Sequence, residues 1–202
     1  MDGQPKPYIT WKPIWETKTL FGWSTFGYVC HNIEWNELVY FKDYWRTDFP
    51  GIEKEGDIYH NLQEAKVRYI PRLGPAGNML LTPEHPLDIQ STRTQDYVKD
   101  GNRKRIWCPG TLRIKRYVHY QLVLNTLGQP LSTFGSTQEL CQVIRDAMIT
   151  HTDTYNKAKI LHQDASAGNI LITPDRSGLL IDWDLSKKVF FFFLSEFVFR
   201  CA

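Results

Sequence analysis

The strongest constraint on this chain lies in residues 162–184, where polar side chains occupy loops between short apolar runs. Asp164 and Asn169 lie five residues apart in a glycine-containing loop, and Asp182 follows a second apolar run beyond a Pro- and Gly-bearing turn. This order of loop, strand, turn and strand predicts a β-hairpin that carries three oxygen ligands at one edge. Mg²⁺ prefers such ligands alongside phosphate, so the pattern predicts a site for a nucleotide-bound metal. A carboxylate that is not needed as a ligand can orient a hydroxyl nucleophile for phosphoryl transfer.

The composition is that of an ordinary soluble globular protein. Its 202 residues allow one or two small domains, 42% of them are hydrophobic and 23% are charged, and the formal net charge is +2. This balance gives no reason to expect nucleic acid or a membrane surface as the main partner. Four scattered cysteines without a CxxC pair predict reduced thiols, and the polar N-terminus shows no signal peptide. We therefore expect an intracellular location, in the cytoplasm or the nucleus.

The first informative segment follows an N-terminal extension, residues 1–19, that we expect to be irregular because three prolines interrupt it. The spacing Gly22-x-Ser24-x-x-Gly27-x-Val29 is that of a kinase-type loop covering phosphates, with serine in place of the middle glycine. A plain β-hairpin with glycines in its turn explains the same residues. On its own, this motif therefore leaves both interpretations open.

A strand lysine and a helix glutamate come next. Residues 37–42 have the alternation of a strand and place Lys42 on one defined face. Residues 52–65 form a helix candidate in which Glu55 shares the apolar face, so its carboxylate needs a buried partner. Lys42 is the natural partner, with Glu53 as a competing choice for the pairing. The alternatives are a solvated edge lysine and a solvated helix glutamate.

The middle of the chain contains a turn-rich and basic stretch, 84–108, that we interpret as an insertion in a β-hairpin. Residues 113–124 then predict one long strand or two shorter ones. A polar connector with Gly and Pro, residues 125–131, marks the boundary between two lobes, and its backbone amides would be free to bind an adenine edge. Residues 137–151 have apolar positions spaced as on one face of a helix, and a continuation of this helix to Leu161 is compatible with the sequence.

Taken in order, these motifs resemble the fungal-type protein kinase family, whose members are protein-kinase-like phosphotransferases. The resemblance covers roughly residues 10–188 and is carried by residues 41–46, 55–57, 161–172 and 180–185. It implies an α+β, protein-kinase-like two-lobe fold. The small β-rich N-lobe would span 20–124, and the hinge with an incomplete helical C-lobe would span 125–188.

The resemblance also implies roles for individual residues. Asp164 would orient the substrate hydroxyl, and Asn169 and Asp182 would hold Mg²⁺ on the phosphates of ATP. Lys42 would contact the α- and β-phosphates and pair with Glu55. The implied catalytic residues are Asp164, Lys42 and Asn169. The implied cofactor-binding residues are Gly22, Ser24, Gly27, Val29, Lys42, Glu55, Asn125 and Leu127. The implied partners are ATP and a protein substrate, with neither nucleic acid nor a membrane.

The chain also departs from the usual kinase pattern. Gln163 replaces the arginine that usually follows the catalytic-loop histidine. Two positions after the metal-binding aspartate, where kinases usually have a glycine, this chain has Asp184. Residues 189–202 are almost wholly apolar and resemble no activation segment. We interpret this tail as a truncated or mis-spliced end rather than a membrane anchor, because a span needs about 20 apolar residues.

Three functions therefore remain open from the sequence. The first is a Mg²⁺- and ATP-dependent Ser/Thr protein kinase. The second is a phosphotransferase of the aminoglycoside or choline type, acting on a small hydroxylated molecule, because the acidic Ile181-Asp182-Trp183-Asp184 ending also occurs in that class. The third is an inactive, truncated kinase fragment that at most binds nucleotide.

Overall fold

A computed structural model of the chain describes residues 7–17, 24–82, 88–93 and 115–189. Its largest element is a six-stranded antiparallel sheet with the order β1-β3-β4-β6-β5, in which β2 also pairs with β3. The strands are β1 (Tyr8–Thr10), β2 (Trp15–Glu16), β3 (Thr25–Asn32), β4 (Glu37–Thr47), β5 (Leu73–Asn78) and β6 (Tyr117–Leu124). The expectation that residues 1–19 are irregular is wrong for their described part, because β1 and β2 hydrogen-bond to the free edge of β3.

The register of the sheet separates two faces. Residues directly opposite each other on paired antiparallel strands point to the same side, so the row Gly27, Lys42 and Leu122 shares one face. That inner face carries the main hydrophobic core, to which β4 and β6 contribute Tyr44 and Tyr120. The outer face carries a smaller apolar cluster centred on Cys30, Val39 and Val123. The predicted strand, which ended at Lys42, is too short, because β4 continues to Thr47.

Helix α1 (Glu55–Glu64) packs on the inner face through Ile58, Tyr59 and Leu62, each at most 1% exposed. The helix begins three residues later than the predicted 52–65, because Lys54 is extended. Close packing also fixes one glycine: a Cβ at Gly56 would lie 2.5 Å from the Tyr120 hydroxyl oxygen, which accepts the Gly56 amide hydrogen. The helix therefore lies close against β6.

Helix α2 (Thr137–Asp153) follows the connector and begins at Ser136, whose side chain accepts the Glu139 amide hydrogen. This is the usual N-cap arrangement. The helix continues as a π-helical turn, Thr154–Ala158, and ends where Lys159 adopts a left-handed φ of 57°. The predicted start at residue 137 is confirmed. The possible continuation to Leu161 is wrong, because Ile160–Leu161 form strand β8.

Three short strand pairs complete the described chain. Strand β9 (Ile170–Ile172) pairs with β10 (Gly178–Leu180), and β7 (Gln129–Pro130) pairs with β9. Strand β11 (Lys187–Lys188) pairs with β8. The predicted hairpin after the 162–169 loop is therefore confirmed. It packs tightly on α2, because a Cβ at Gly178 would collide with the Val143 carbonyl oxygen.

One continuous core joins the sheet to these later elements. Ala147 of α2, Ile160, Leu180 and Trp183 belong to the same buried cluster as the α1 side chains. The architecture is thus mixed α and β, with a β-rich sheet and few helices. Within the described residues, no helix is long and apolar enough to cross a membrane. Most of the predicted insertion and all of the apolar tail beyond Val189 lie outside the described residues.

Candidate active site

Lys42 lies in the middle of β4 on the inner face of the sheet and is only 6% exposed. Its Nζ lies 2.8 Å from Glu55 Oε2, 2.5 Å from Asp182 Oδ1 and 3.7 Å from Asp184 Oδ2. The predicted ion pair between Lys42 and Glu55 is therefore present. Glu53, the competing choice, pairs with Lys188 instead, at 2.6 Å.

This cluster holds three carboxylates against one ammonium group. Burial alone would lower the pKa of Lys42, but the carboxylates, Glu55 foremost, raise it well above its usual value. Burial raises the pKa of Asp184 to about 7, and the nearby Asp182 and Glu55 carboxylates add to that rise. Because negative groups outnumber the lysine in a largely buried place, the site has an electrostatic preference for a further cation.

Glu55 also connects α1 to the loop that carries the two aspartates. Its Oε1 accepts the Trp183 amide hydrogen at 3.2 Å, while its Oε2 faces Lys42. Asp182 adopts a left-handed φ of 67°, which turns the backbone sharply after β10. The fully buried Trp183 fixes this turn, because its indole Nε1 donates to the Leu180 carbonyl oxygen at 3.2 Å.

The loop after β8 is organised by His162, which is fully buried and packs edge-on against Trp183 with ring centroids 4.3 Å apart. His162 Nδ1 accepts the Asp164 amide hydrogen at 3.2 Å, so Nε2 carries the proton and donates to the Ile181 carbonyl oxygen at 2.9 Å. Burial lowers the pKa of His162, which favours this neutral form. The histidine thereby fastens the Asp164 loop to the Asp182 loop.

Asp164 and Asn169 are held together within the loop. The Asn169 side-chain Nδ2 donates to the Asp164 backbone carbonyl oxygen at 2.9 Å and to the Asp164 carboxylate oxygen Oδ2 at 3.0 Å. The Asn169 carbonyl oxygen accepts the Ile181 amide hydrogen at 2.9 Å. As predicted, the three oxygen-bearing side chains thus lie at one end of the β9–β10 hairpin, with Asn169 before β9 and Asp182 after β10.

The described residues contain no ready-made cage of three or more His, Cys, Asp or Glu side chains for a metal. Asp182 and Asn169 offer one carboxylate and one amide oxygen, and Asn169 Oδ1 makes no hydrogen bond in the described part of the chain. Mg²⁺ is usually bound by one or two carboxylates together with waters and substrate phosphates. The residues present therefore fit a metal that arrives with a phosphate ligand.

The predicted phosphate-covering loop is only partly visible. Gly22 lies outside the described residues, whereas Ser24 directly precedes β3 and Gly27 and Val29 lie within it. Gly27 is opposite Lys42, and Val29 is one step further along the inner face, opposite Tyr40. Gly27 and Val29 are therefore strand residues rather than loop residues, because the ladder with β4 already begins at Thr25.

The connector differs from its prediction in one respect. Its first amide is not free, because Asn125 donates to the Arg72 carbonyl oxygen at 2.8 Å. Leu127 fits the prediction, since neither its backbone N–H nor its carbonyl oxygen has a partner among the described residues. A cavity of about 370 Å³ lies beside Leu127, towards Thr133 and Arg176 and away from Lys42.

Comparison with known proteins supplies the family. A model of the fungal protein kinase family matches residues 2–191. This chain belongs to that family. The match supports a kinase-like phosphotransferase, and the predicted recognition of a fungal-type protein kinase is confirmed. A search of curated proteins returns no match to the chain.

In this member of the fungal protein kinase family, two residues at or beside the candidate site had no predicted role. Asp184 was noted only as a departure from the kinase pattern, yet it lies within 4 Å of Lys42. Tyr40 lies two residues before Lys42 on the same face, and its hydroxyl reaches beneath Gly27. Strand alternation places Tyr40 on the site side, but how far its ring reaches depends on the neighbouring strand.

Proposed function

We propose that the protein transfers a phosphoryl group from ATP to a Ser or Thr hydroxyl of a protein substrate, with Mg²⁺ as cofactor. In this proposal the sheet and α1 form the N-lobe of a kinase fold, and α2 with the short strand pairs forms part of the C-lobe. One observation carries the proposal: the buried Lys42 faces three carboxylates, and Asp182 among them belongs to the loop that His162 fastens to Asp164.

The nucleotide phosphates would meet Lys42. Glu55 holds the ammonium group in place from α1, and its second oxygen is fixed by Trp183, so the lysine is pre-positioned. Asp182 and Asn169 would hold Mg²⁺ through Oδ1 atoms, and the metal would neutralise charge on the β- and γ-phosphates. Asp182 Oδ1 contacts Lys42 in the structure, so a metal bound through that atom would compete with the lysine for it and would favour contact of the lysine with phosphate.

Asp164 would orient the attacking hydroxyl. Its Oδ2 accepts from Asn169, so Oδ1 remains to accept the hydroxyl proton. The loop that presents it is fixed at both ends, by His162 and by the Asn169 contact with Ile181. Such fixation matters because phosphoryl transfer depends mainly on positioning and electrostatic stabilisation.

The base would bind at the other end of the inner face. Ser24, Gly27 and Val29 would cover the nucleotide, and the unpaired backbone groups of Leu127 would bond the adenine edge. The role of Asn125 is then indirect, because its amide holds the connector against Arg72. These assignments place phosphates near Lys42 and the base nearer the connector.

A calorimetric titration of the full chain with ATP, with and without Mg²⁺, tests the proposal. We expect Mg²⁺-dependent binding that Asp182→Asn weakens. We also expect phosphoryl transfer to peptide hydroxyls that Asp164→Ala lowers by about a hundredfold or more, since general acid–base catalysis typically contributes about 10²–10⁴-fold. Absence of ATP binding in the presence of Mg²⁺ would overturn the proposal. Equal transfer rates for wild type and Asp164→Ala would refute the assigned role of Asp164, and transfer only to small alcohols would refute the protein substrate.

A further inference from the structure

A polar cluster centred on His119 of β6 lies on the outer face of the sheet, on the side opposite Lys42. Strand alternation places Asp43 and Trp45 of β4 on that face, and Trp45 is directly opposite His119 in the register. The imidazole stacks on the Trp45 indole, with ring centroids 5.0 Å apart and an interplanar angle of 14°. The side chains of His119 and Asp43 are 17% and 24% exposed. The proposed phosphoryl transfer uses none of these three outer-face residues.

Both ring nitrogens of His119 face hydrogen-bond acceptors. Nε2 lies 2.5 Å from Asp43 Oδ1, and Nδ1 lies 2.7 Å from the side-chain oxygen Oε1 of Gln90. The other end of the Gln90 amide fixes its orientation, because Nε2 of Gln90 donates to the Leu80 carbonyl oxygen at 2.9 Å. A carbonyl oxygen can only accept, so Gln90 Oε1 has to face the histidine. Each ring nitrogen of His119 therefore carries a proton, which is the imidazolium form.

A neutral His119 ring is one proton short for this chain of contacts, because it carries a proton on one nitrogen only. With that proton on Nε2, the lone pair of Nδ1 faces a lone pair of Gln90 Oε1. With the proton on Nδ1, the lone pair of Nε2 faces the Asp43 carboxylate. Turning the Gln90 amide over repairs the first contact but places its oxygen against the Leu80 carbonyl oxygen. Every arrangement of the neutral ring thus loses at least one hydrogen bond.

Gln90 belongs to residues 88–93, here called the return segment, which meets the sheet again after β5. The Gln90 backbone amide donates to the Met79 carbonyl oxygen at 2.8 Å, and its carbonyl oxygen accepts the His119 amide hydrogen at 3.0 Å. The backbone amide of Thr92 attaches the other end of the return segment to β6. The His119 ring therefore adds a side-chain attachment at the Gln90 end alone.

We propose that His119 is a pH-dependent latch, whose doubly protonated ring fastens the Gln90 end of the return segment to the sheet and whose neutral ring loosens it. The latch does not depend on the proposed function. Histidine ordinarily titrates near about pH 6.5, so its charge changes within the physiological range. Since the fastened state needs one proton more than the loosened state, the attachment is complete at low pH and weakens as the pH rises.

Asp43 is the charged group that is hydrogen-bonded to the His119 ring. The other side chains hydrogen-bonded to this pair, Gln90 and Gln121, are uncharged amides, and Gln121 Nε2 lies 3.4 Å from Asp43 Oδ1. A change of Asp43 to an amide therefore isolates the charge that faces the ring. Further titratable side chains on the surrounding elements are Glu16 on β2, Tyr28 on β3, Glu37 on β4, Tyr117 on β6, the paired Asp48 and Arg116, and Asp88 and Arg93 in the return segment.

Amide hydrogen exchange of the full chain tests the latch. Protection of the Gln90 backbone amide, corrected for the intrinsic pH dependence of exchange, is compared at about pH 5.5 and about pH 8.5, on either side of the usual histidine titration. We expect protection to fall by about tenfold at the higher pH, the size expected for the loss of one hydrogen bond to a charged group. Equal protection of wild type at both pH values would overturn the proposal.

Asp43→Asn gives the sharpest comparison, because asparagine supplies the missing proton. Its side-chain amide can donate to Nε2 of a neutral imidazole, whose Nδ1 then donates to Gln90, so the chain of contacts no longer needs a charged ring. We expect protection of the Gln90 amide to stay high at both pH values. A merely structural role for Asp43 predicts lower protection with the pH dependence intact. That result would overturn the latch.

Gln90→Met is a second variant, which keeps a long side chain but removes both hydrogen bonds of the amide group. Protection of the backbone amide at position 90 should be low at both pH values, as in wild type at the higher pH. His31→Gln is the matched control, because His31 lies on β3 and its Nε2 contacts Asn36 at 2.9 Å, away from the return segment. The control should keep the wild-type pH dependence, and its loss there would assign the effect to the wrong histidine and overturn the proposal.

Discussion

Two ionic clusters in this molecule have opposite charge patterns. At the candidate site, the cation Lys42 faces the carboxylates of Glu55, Asp182 and Asp184. At the junction of α2 with the loop after α1, the anion Asp153 faces two cations. Its Oδ2 lies 2.8 Å from Arg68 Nε and 2.7 Å from Lys157 Nζ. One cluster therefore has surplus negative charge and the other surplus positive charge.

The solvent exposure of the side chains that carry the surplus charge differs between the two clusters. Glu55 and Asp184 side chains are 1% and 14% exposed, so water compensates their charge poorly. Arg68 and Lys157 side chains are 58% and 40% exposed, so water solvates their extra charge. When Asp184 is ionised, the first cluster thus has a buried negative surplus that another cation would balance, whereas the second is complete as it stands. Surplus charge therefore indicates a ligand site only where it is buried.

The largest effect should follow from removing the central cation. Lys42→Met leaves buried carboxylates facing each other and should lower the free energy of unfolding by about 3–5 kcal/mol without Mg²⁺. Mg²⁺ should restore part of this loss, because it can take the place of the ammonium group. Urea unfolding of both proteins with and without Mg²⁺ measures the effect. A variant as stable as wild type, or one that gains no stability from Mg²⁺, would refute the idea that the site carries a buried surplus of negative charge.

A smaller effect is expected from Asp153→Asn, which removes the anion of the other cluster. Hydrogen bonds to charged groups contribute about 1.5–3 kcal/mol, so a stability loss of that size is expected at neutral pH. Hydrogen bonding from Arg68, which exceeds the opposing effect of burial, lowers the pKa of Asp153. A lowered folded-state pKa means that the stabilisation is complete above the unfolded value of 3.8 and is lost as the pH falls below it.

Urea unfolding of Asp153→Asn and wild type from neutral pH to about pH 3 checks this sign. The difference between them should be constant down to about pH 4 and should shrink below it. Mg²⁺ should affect both proteins equally, because Asp153 is not one of the candidate metal ligands. A difference that grows on acidification would contradict the assigned direction.

The contrast between the clusters also shows what sequence can reveal. The pairing of Lys42 with Glu55 was predictable because strand alternation and helix periodicity each define a face, and a glutamate on an apolar face needs a partner. The β9–β10 hairpin was predictable from apolar runs around a turn. The Asp153 cluster was not, because Arg68 lies in an irregular loop 85 residues away and no periodic pattern connects the two.

Other errors have the same physical origin. The start of α1 at Glu55 depends on the extended backbone of Lys54, and the strands within residues 8–16 form only because β3 offers an open edge. The occupied amide of Asn125 depends on Arg72, far away in the chain. Long-range partners of short segments carry little local signal, so the sequence predicts which side chains meet at the candidate site better than it predicts the contacts that position them.

The smallest effect completes the comparison. Lys157→Met makes the same replacement as Lys42→Met, but at an i, i+4 pair whose ammonium group is 40% exposed. Such pairs contribute about 0.5 kcal/mol or less, and about 1 M salt should abolish the difference from wild type by screening. Urea unfolding at low and high salt, again with and without Mg²⁺, measures it. A loss comparable to that of Lys42→Met would mean that burial does not distinguish the clusters. A small, salt-sensitive and Mg²⁺-independent loss would leave the buried carboxylates around Lys42 as the feature that calls for a cation.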